Sequence, residues 1–229
     1  AVRVRYPDCL IVAGGTQVPR HDPAFFISHP YFDCAVPHEG ELVFAAILRE
    51  RLRDNPDLRN VAGLMLNATG AVHLTPPAAR VNNLSALPSP YLCGMFDALL
   101  EQPYAFQASQ ETHRGCPYAC TFCDWGAATM SKVRRFEHAR LAAEFDWMGT
   151  KGIELLYNCD ANYGLFKEDI ALTEMLVAAK RKHGAPSKFR AAYAKNSNER
   201  VYEIAKTLNA EGMCKGVTLS FQSMDKKVL

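Results

Sequence analysis

The chain has 229 residues, of which 48% are hydrophobic, and this is enough apolar material for one large domain or two ordinary ones. The 26 Lys and Arg residues nearly balance the 24 Asp and Glu residues, so the formal charge of +2 gives no electrostatic basis for binding nucleic acid or an anionic membrane. No apolar run approaches the roughly 20 residues of a membrane span, and residues 1–5 lack the apolar core of a signal peptide. We therefore expect a globular protein in the cytoplasm, without nucleic-acid or membrane partners.

The first third of the sequence begins with a strand-loop-helix pattern. An apolar run at residues 9–13 ends in Gly14-Gly15, which is typical of a buried parallel strand that enters a tight loop. A helix is predicted to begin after Gly40, with an apolar face on one side and charged residues in solvent on the other. The apolar face comprises Phe44, Ala45, Leu48 and Leu52, and the solvated residues are Arg49, Glu50, Arg51 and Arg53. Two further apolar runs, 61–66 and 71–74, flank a polar turn and predict a hairpin.

The remaining sequence predicts a second domain built from repeated strand-helix units. Strands are predicted at 104–111, 153–157, 189–194 and 217–221, and a helix is predicted to follow each of the first three. The helices are expected to end near Gly184 and Gly212 and to bury these residues: Leu141, Phe145, Met148, Leu172, Met175, Leu176, Ala179, Val201, Ile204, Ala205 and Leu208. Such alternation predicts a parallel sheet, which places its chemistry at the carboxyl ends of the strands.

A proline-rich stretch at residues 76–103 has little helical or strand pattern and is the predicted linker. The predicted domains are therefore 1–75 and 104–229. Because the sequence stops at Leu229, just after the fourth predicted strand, and because few residues precede the glycine pair, we expect it to be a fragment of a longer protein.

Cys116, Cys120 and Cys123 form a C-x-x-x-C-x-x-C loop after the first strand of the second predicted domain. Three thiolates from one short loop suit a cubane iron–sulfur cluster that keeps one iron open. Closely spaced cysteines also suit zinc, which normally takes a fourth Cys or His ligand, and His113 is the nearest candidate. The spacing favours iron–sulfur over zinc. The other cysteines are scattered and are predicted to be free thiols: Cys9, Cys34, Cys93, Cys159 and Cys214.

The sequence around this triplet, ETHRGCPYACTFCDWG at residues 111–126, resembles the cluster loop of radical S-adenosylmethionine (SAM) enzymes in their cobalamin-dependent branch. The resemblance implies a 4Fe–4S cluster on Cys116, Cys120 and Cys123, with the open iron chelating the amino acid end of SAM. It also implies an α/β fold. The implied architecture is the C-terminal part of a Rossmann-like B12-binding domain, followed by the first four β/α units of a partial (β/α)6 radical SAM barrel.

The resemblance implies further contacts to SAM. The family holds the amino group of SAM with a motif after the second strand, commonly two glycines and a glutamate. Residues 158–164 read NCDANYG, so Asp160 and Asn162 are the implied acceptors for the ammonium group, although the same residue types also favour local Asx turns. Phe122 is implied to pack beside the adenine, or is a core aromatic of its loop. Polar residues at the ends of the later strands are implied to lie near the carboxylate and ribose of SAM: Asn196, Ser220 and Gln222.

The first predicted domain resembles the back half of a B12-binding domain. There a glycine pair lets the backbone approach the nucleotide tail of cobalamin where a side chain would clash, although glycine pairs also mark ordinary turns. The implied cobalamin contacts are Gly14, Gly15, Thr16, Gln17 and Glu39. The D-x-H-x-x-G motif that ligates cobalt in some B12 domains does not occur in these 229 residues.

The resemblance therefore implies a cobalamin-dependent radical SAM enzyme. Such an enzyme cleaves SAM reductively to a 5′-deoxyadenosyl radical and methylates an unactivated carbon of its substrate through methylcobalamin. A small molecule or a peptide is the implied substrate, and a flavodoxin or ferredoxin is the implied electron donor. Some relatives use the same cofactors for cyclisation or rearrangement. A non-catalytic iron–sulfur or zinc module is the alternative from another class, and a flavodoxin-like electron carrier fits less well because it leaves the cysteine triplet unexplained.

Overall fold

The computed structural model of the chain divides into two compact units, Ala1–Asn82 and Asn83–Leu229. The division falls inside the predicted linker, residues 76–103, and the predicted domain limits at 75 and 104 stay predictions. The residues that the structure describes are 1–15, 17–19, 22–37, 39–118, 120, 123, 132–195, 199–217 and 225.

The first unit contains a four-stranded mixed sheet with the strand order β1-β2-β3-β4. Its strands are β1 (Val12–Gly14), β2 (Cys34–Val36), β3 (Met65–Ala68) and β4 (Ala71–Leu74). β1 and β2 pair in parallel, and the other neighbours are antiparallel. The predicted hairpin is confirmed, because β3 and β4 pair across a turn in which Thr69 and Gly70 have φ values of 53° and 90°. The predicted strand before the glycine pair is also confirmed, since β1 ends at Gly14.

The helix α3 packs through a different face from the predicted one. The helical segments of this unit are α1 (Val2–Arg5), α2 (Phe25–Ser28), α3 (Glu41–Arg51) and a 3-10 turn at Leu58–Asn60. The predicted apolar face is wrong as a core face, because Phe44, Leu48 and Leu52 are 47%, 49% and 87% exposed. Val43 and Ile47 pack into the core instead.

Glu50 was predicted to be solvated, and this too is wrong, because it is only 7% exposed. Its Oε1 accepts hydrogen bonds from the N–H of Asp57 at 3.0 Å and from Nδ2 of Asn60 at 3.3 Å. Nη1 of Arg53 donates to Oε2 at 3.1 Å. These bonds satisfy the buried carboxylate and tie the end of α3 to the following turn. Two apolar stripes lie side by side on α3, so periodicity alone does not decide which one is buried.

The second unit contains a parallel sheet with the strand order β5-β8-β9. Its strands are β5 (Gln107–Gln110), β8 (Leu155–Asn158) and β9 (Lys188–Arg190), and a separate antiparallel pair joins β6 (His113–Arg114) to β7 (Arg134–Arg135). The predicted parallel pairing of the first three strands is confirmed. The predicted strand at 217–221 lies outside the described residues except for Val217.

The helices of the second unit bury the predicted stripes. They are α4 (Asp97–Leu100), α5 (His138–Thr150), α6 (Glu168–His183) and α7 (Glu199–Ala210), with a 3-10 turn at Leu84–Ala86. All of the predicted core residues of α5, α6 and α7 are buried except Met175 and Ala205, which are half-buried. Gly184 caps α6 in the left-handed conformation with φ of 80°, as predicted. The α/β class is therefore confirmed. Among the described helices, none combines the length and the apolar character needed to cross a membrane.

Gly164 allows the chain after β8 to lie against α7. Its φ is 86°, and a Cβ built on it would lie 2.8 Å from Cγ2 of Val201. We expect Gly164→Ala to lower the free energy of unfolding by roughly 2–4 kcal/mol, because it adds both left-handed backbone strain and overpacking. Urea denaturation measures the change. Gly212→Ala is the matched control, since Gly212 has φ of 65° but no described atom lies within 4 Å of its added Cβ. It is expected to cost only about 1 kcal/mol, and equal losses in the two variants would contradict the packing explanation.

Candidate functional site

The cysteine loop starts at the carboxyl end of β5, where the sequence predicted chemistry. The chain leaves β5 at Gln110, forms β6 and reaches Gly115, whose φ is 114°. Cys116 is buried, whereas Cys120 and Cys123 are half-buried. The N–H of Cys123 donates to the carbonyl of Cys120 at 3.2 Å, so the backbones of these two cysteines lie close together.

The structure does not gather the three thiols around one point. Within the described part of the chain, no group of three or more Cys, His, Asp or Glu side chains is close enough together to hold a metal ion. Cys116, Cys120 and Cys123 form no disulfide and are thus chemically available as ligands. The case for a cluster therefore depends on the donor set, three thiols from one short loop, which is the set that iron–sulfur clusters take.

Asn162 contacts the first cysteine of the loop from the segment that follows β8. Its side chain is fully buried, and Nδ2 donates a hydrogen bond to Sγ of Cys116 over 3.2 Å. The other amide atom, Oδ1, is buried and has no hydrogen-bond partner in the described structure. A buried carbonyl oxygen without a donor is unfavourable, so this atom is an acceptor that fits a bound donor group. The structure thus brings one predicted SAM residue to one predicted cluster ligand.

Asp160 is buried in a network of protein donors. Oδ1 accepts from the N–H groups of Thr112 at 2.8 Å and His113 at 3.2 Å. Oδ2 accepts from the hydroxyl of Thr112 and from Nδ2 of Asn158 at 2.9 Å, and it lies 3.2 Å from Nδ1 of His113. Both carboxylate oxygens are therefore occupied by the protein. The prediction that Asp160 contacts SAM stays a prediction, but the network itself fastens the end of β8 to the chain leading into the cysteine loop.

The network also sets the ionisation of Asp160. Burial by itself raises the pKa of this carboxyl, but the hydrogen bond and charge of His113 act against it, together with the bonds from Thr112 and Asn158. The balance holds the pKa below its ordinary value, so Asp160 is a carboxylate at neutral pH.

His113, the nearest candidate for a fourth zinc ligand, is engaged elsewhere. Its Nδ1 faces Asp160, and its ring packs edge-on against Phe166 with 5.2 Å between the ring centroids. Nε2 is buried without a hydrogen-bond partner among the described residues. Among the described residues, His113 is not part of any group of three or more side chains that could hold a metal ion. The zinc alternative therefore gains no support from the position of His113.

Cys159 shows how a cysteine beside the network differs from a metal ligand. Burial, followed by the negative charge of Glu111, raises the pKa of its thiol. A thiol with a raised pKa is a poor metal ligand and nucleophile, because both roles need the thiolate. Its predicted assignment as a structural thiol is consistent with this environment.

Several predicted SAM contacts lie outside the described residues. These are Phe122, Asn196, Ser220 and Gln222. Their assignments stay predictions.

A cleft in the first unit opens beside the carboxyl ends of β1 and β2. Its volume is about 320 Å³, and it is lined by Val12, Ala13, Gly14, Val36, Gly40, Glu41 and Phe44. Gly14, one of the predicted cobalamin contacts, therefore lines this cleft. Gly15 is next to it with φ of 98°, a value that requires glycine on backbone grounds alone. Gln17 is exposed, Glu39 accepts from the N–H of Val81 at 3.4 Å, and Thr16 lies outside the described residues.

Gly14 and Gly40 have no structural reason of their own to be glycine. Neither has a positive φ, and a Cβ added to either would meet no described atom within 4 Å. Both line the cleft. Open space beside a glycine backbone is what a ligand that approaches the main chain closely requires.

Sequence reasoning missed two features of these sites. The first is the role of Thr112 and Asn158 in holding Asp160, and the second is the position of Phe44 at the cleft. The order of polar residues after β5 and β8 signals chemistry at this edge of the sheet. It does not signal that Thr112 and Asp160, 48 positions apart in the sequence, bond to each other.

Comparisons with known proteins identify the family of the chain. No protein-family model matches the chain. Two curated relatives are 43% identical over 232 residues and match 100% of the chain: the cobalamin-dependent radical SAM methyltransferase TokK of Streptomyces tokunonensis and the 2-(S-pantetheinyl)-carbapenam-3-carboxylate methyltransferase of Streptantibioticus cattleyicolor. The chain spans only 34% of the length of each of these relatives.

A solved structure matches the fold. It is the radical SAM methyltransferase TsrM from Kitasatospora setae with cobalamin and a 4Fe–4S cluster bound, which aligns with a TM-score of 0.61 at 20% identity and covers 90% of this chain and 41% of that one. At such low identity the match concerns the fold alone. Since the two relatives at 43% identity match the chain from end to end, the chain belongs to the cobalamin-dependent radical SAM family.

Proposed function

We propose that the protein is a methyltransferase that uses SAM and cobalamin to methylate an unactivated carbon of a small molecule. The observation that carries the proposal is the meeting of Cys116 and Asn162 at the carboxyl end of the parallel sheet, with Sγ and Nδ2 3.2 Å apart. This contact joins the cysteine loop to the segment that is expected to receive SAM. The 43% identity to two methyltransferases supports the same reaction class.

In this proposal Cys116, Cys120 and Cys123 hold a 4Fe–4S cluster. The cluster and SAM supply one-electron chemistry when bound, and cobalamin supplies the methyl group. Oδ1 of Asn162 accepts a hydrogen bond from the ammonium group of SAM, since this buried atom has no other described partner. Asp160 keeps the loop in place through Thr112 and His113, and its contact with SAM stays a prediction. A flavodoxin or ferredoxin is the proposed electron donor.

The proposed domain assignment follows the family. The first unit is the C-terminal part of a Rossmann-like B12-binding domain, and the second is the first part of a (β/α)6 radical SAM barrel. The parallel pairing of β1 with β2, and of β8 with both β5 and β9, supports these assignments. The cleft that Gly14 and Gly40 line is the proposed place for part of the cobalamin nucleotide tail.

The Gly14→Val variant tests the cobalamin cleft. We expect it to weaken cobalamin binding by about tenfold or more, ~1.4 kcal/mol, because the side chain occupies space that the ligand needs. The free energy of unfolding is expected to stay unchanged, since valine suits a strand and the new Cβ meets no described atom. Titration of the protein with hydroxocobalamin, followed by absorbance, measures the affinity. Gly216→Val is the matched control, because no described atom lies within 4 Å of a Cβ added to Gly216, which lies in the other unit. An unchanged affinity in Gly14→Val would contradict the assignment.

The reaction itself is tested on the whole natural protein. The protein is loaded with cluster and cobalamin, reduced, and supplied with SAM that carries a trideuterated methyl group. The substrate named for the relative from Streptantibioticus cattleyicolor, a pantetheinyl carbapenam carboxylate, is the first candidate to test. The expected product carries the trideuterated methyl group at carbon, and 5′-deoxyadenosine accumulates with it. A cyclised or rearranged product without the label would contradict methyl transfer.

A further inference from the structure

The amide of Asn162 is unusual among the described polar groups because it faces a sulfur that belongs to the cysteine triplet. Its side chain has no exposed surface, and Nδ2 lies 3.2 Å from Sγ of Cys116. The sulfur is itself buried, at 7% exposure of the residue. The hydrogen bond therefore lies in an interior of low dielectric, where a donor acts more strongly on a charge than it does in water.

The position of Asn162 is determined by its neighbours on both sides. Asp160 is held two residues earlier by Thr112, His113 and Asn158. Tyr163 follows directly: its N–H donates to the carbonyl of Ala192 at 2.8 Å, and its carbonyl accepts from the N–H of Ala194 at 2.9 Å. The amide is therefore fixed in place by hydrogen bonds that do not involve the three cysteines. Such preorganisation is what a residue needs to act on a bound group without moving toward it.

We propose that Asn162 is a positioning residue that donates its Nδ2–H to the ligating sulfur of Cys116 and thereby raises the reduction potential of the cluster. Reduction adds negative charge to the iron and its thiolate ligands. An N–H dipole that points at one of these sulfurs stabilises the reduced state more than the oxidised state. The fixed hydrogen bond thus makes the one-electron reduction easier. The inference rests on the proposed function, because it requires that Cys116 bind a cluster.

Two variants remove the donor while leaving the cysteines intact. Asn162→Leu keeps the volume of the side chain, so that water does not take the place of the amide, and Asn162→Ala is the second variant in case leucine is not accommodated. Asn158→Ala is the matched control, because Asn158 is also buried and lies in the same segment, but its Nδ2 donates to Asp160 and not to a cysteine. The measurement is a redox titration of the reconstituted whole natural protein, followed by electron paramagnetic resonance, with iron content determined for each sample.

We expect the midpoint potential to become more negative in both Asn162 variants. The ratio of reduced to oxidised cluster at a fixed potential should fall about tenfold, which is 59 mV for a one-electron couple. The Asn158→Ala control should change this ratio by less than about twofold, because Thr112 and His113 still hold Asp160 and thereby the position of Asn162. A change of less than about twofold in variants with a full complement of iron would overturn the inference.

The iron content and the pattern of shifts across the variants also test the role of Asn162. Loss of iron from both Asn162 variants, with iron retained by Asn158→Ala, would overturn the role in tuning the potential and assign Asn162 to holding the loop. Equal shifts in all three variants would overturn it as well, because they would reflect general loosening of the segment. Absence of iron from the unchanged protein would instead contradict the proposed function, so the two failures are distinguishable.

Discussion

Cys120→Ala is expected to abolish the electron paramagnetic resonance signal of the reduced 4Fe–4S cluster and to lower 5′-deoxyadenosine formation to the level of a protein-free sample. Two thiolates do not hold a cubane cluster that needs three, and without the cluster SAM has no open iron to bind. The experiment uses the whole natural protein, reconstituted without oxygen and reduced with dithionite, with and without SAM. The unchanged protein should give a signal that shifts when SAM is added.

Cys159→Ala is the matched control for this prediction. Cys159 lies next to Asp160 near the same end of the sheet, but burial and Glu111 raise the pKa of its thiol. The variant should therefore retain its iron and its response to SAM. A full iron content in Cys120→Ala would contradict the assignment of this cysteine as a ligand. Stoichiometric zinc without iron in the unchanged protein would indicate a structural metal module.

Asp160→Asn is expected to lower the free energy of unfolding by roughly 3 kcal/mol at neutral pH. The reason is that the new amide puts an NH2 group where Oδ2 now receives three protein groups, on Thr112, His113 and Asn158. Donors would then face a donor inside the protein, and each unsatisfied buried group is costly. Chemical denaturation of both proteins measures the difference. A loss below about 1 kcal/mol would contradict the view that the network is a major contribution to stability.

The pH dependence of this loss has a definite sign. The folded pKa of Asp160 is depressed, so its stabilising contribution is present above the unfolded pKa of about 3.9 and is lost as the pH falls through the lower folded pKa. The difference in the free energy of unfolding between the unchanged protein and Asp160→Asn should therefore be constant from about pH 5 to neutral pH. It should shrink below about pH 3.9.

Asp169 is a matched control because its pKa is shifted in the opposite direction. It is also a buried aspartate, but burial raises its pKa even though its carboxylate accepts from the N–H groups of Phe166 and Gly164. Its contribution is present below the unfolded pKa and is lost as the pH rises through the folded pKa. The free energy of unfolding of Asp169→Asn should therefore rise, relative to that of the unchanged protein, as the pH increases. The same pH dependence of stability in both variants would contradict the opposite pKa shifts of Asp160 and Asp169.

Much of the second unit follows from local pattern. The apolar stripe of α5, with Leu141, Phe145 and Met148, is buried as its spacing predicts, and Gly184 ends α6 where the sequence places it. These features depend on residues within a few positions of each other, and local sequence carries that information. The cysteine loop was recognised for the same reason, because its three thiols are adjacent in the chain.

Only the tertiary structure decided which residues meet across the sequence. On α3 two apolar stripes are available, and contacts with distant residues bury Val43 and Ile47 rather than Phe44. Asp160 and Asn162 were both recognised as polar residues at a strand end. The parallel pairing of β5 with β8 then places Asp160 against Thr112, 48 positions away, and Asn162 against Cys116, 46 positions away. Local composition determined which groups are available for chemistry, and the non-local pairing of strands determined what each of them touches.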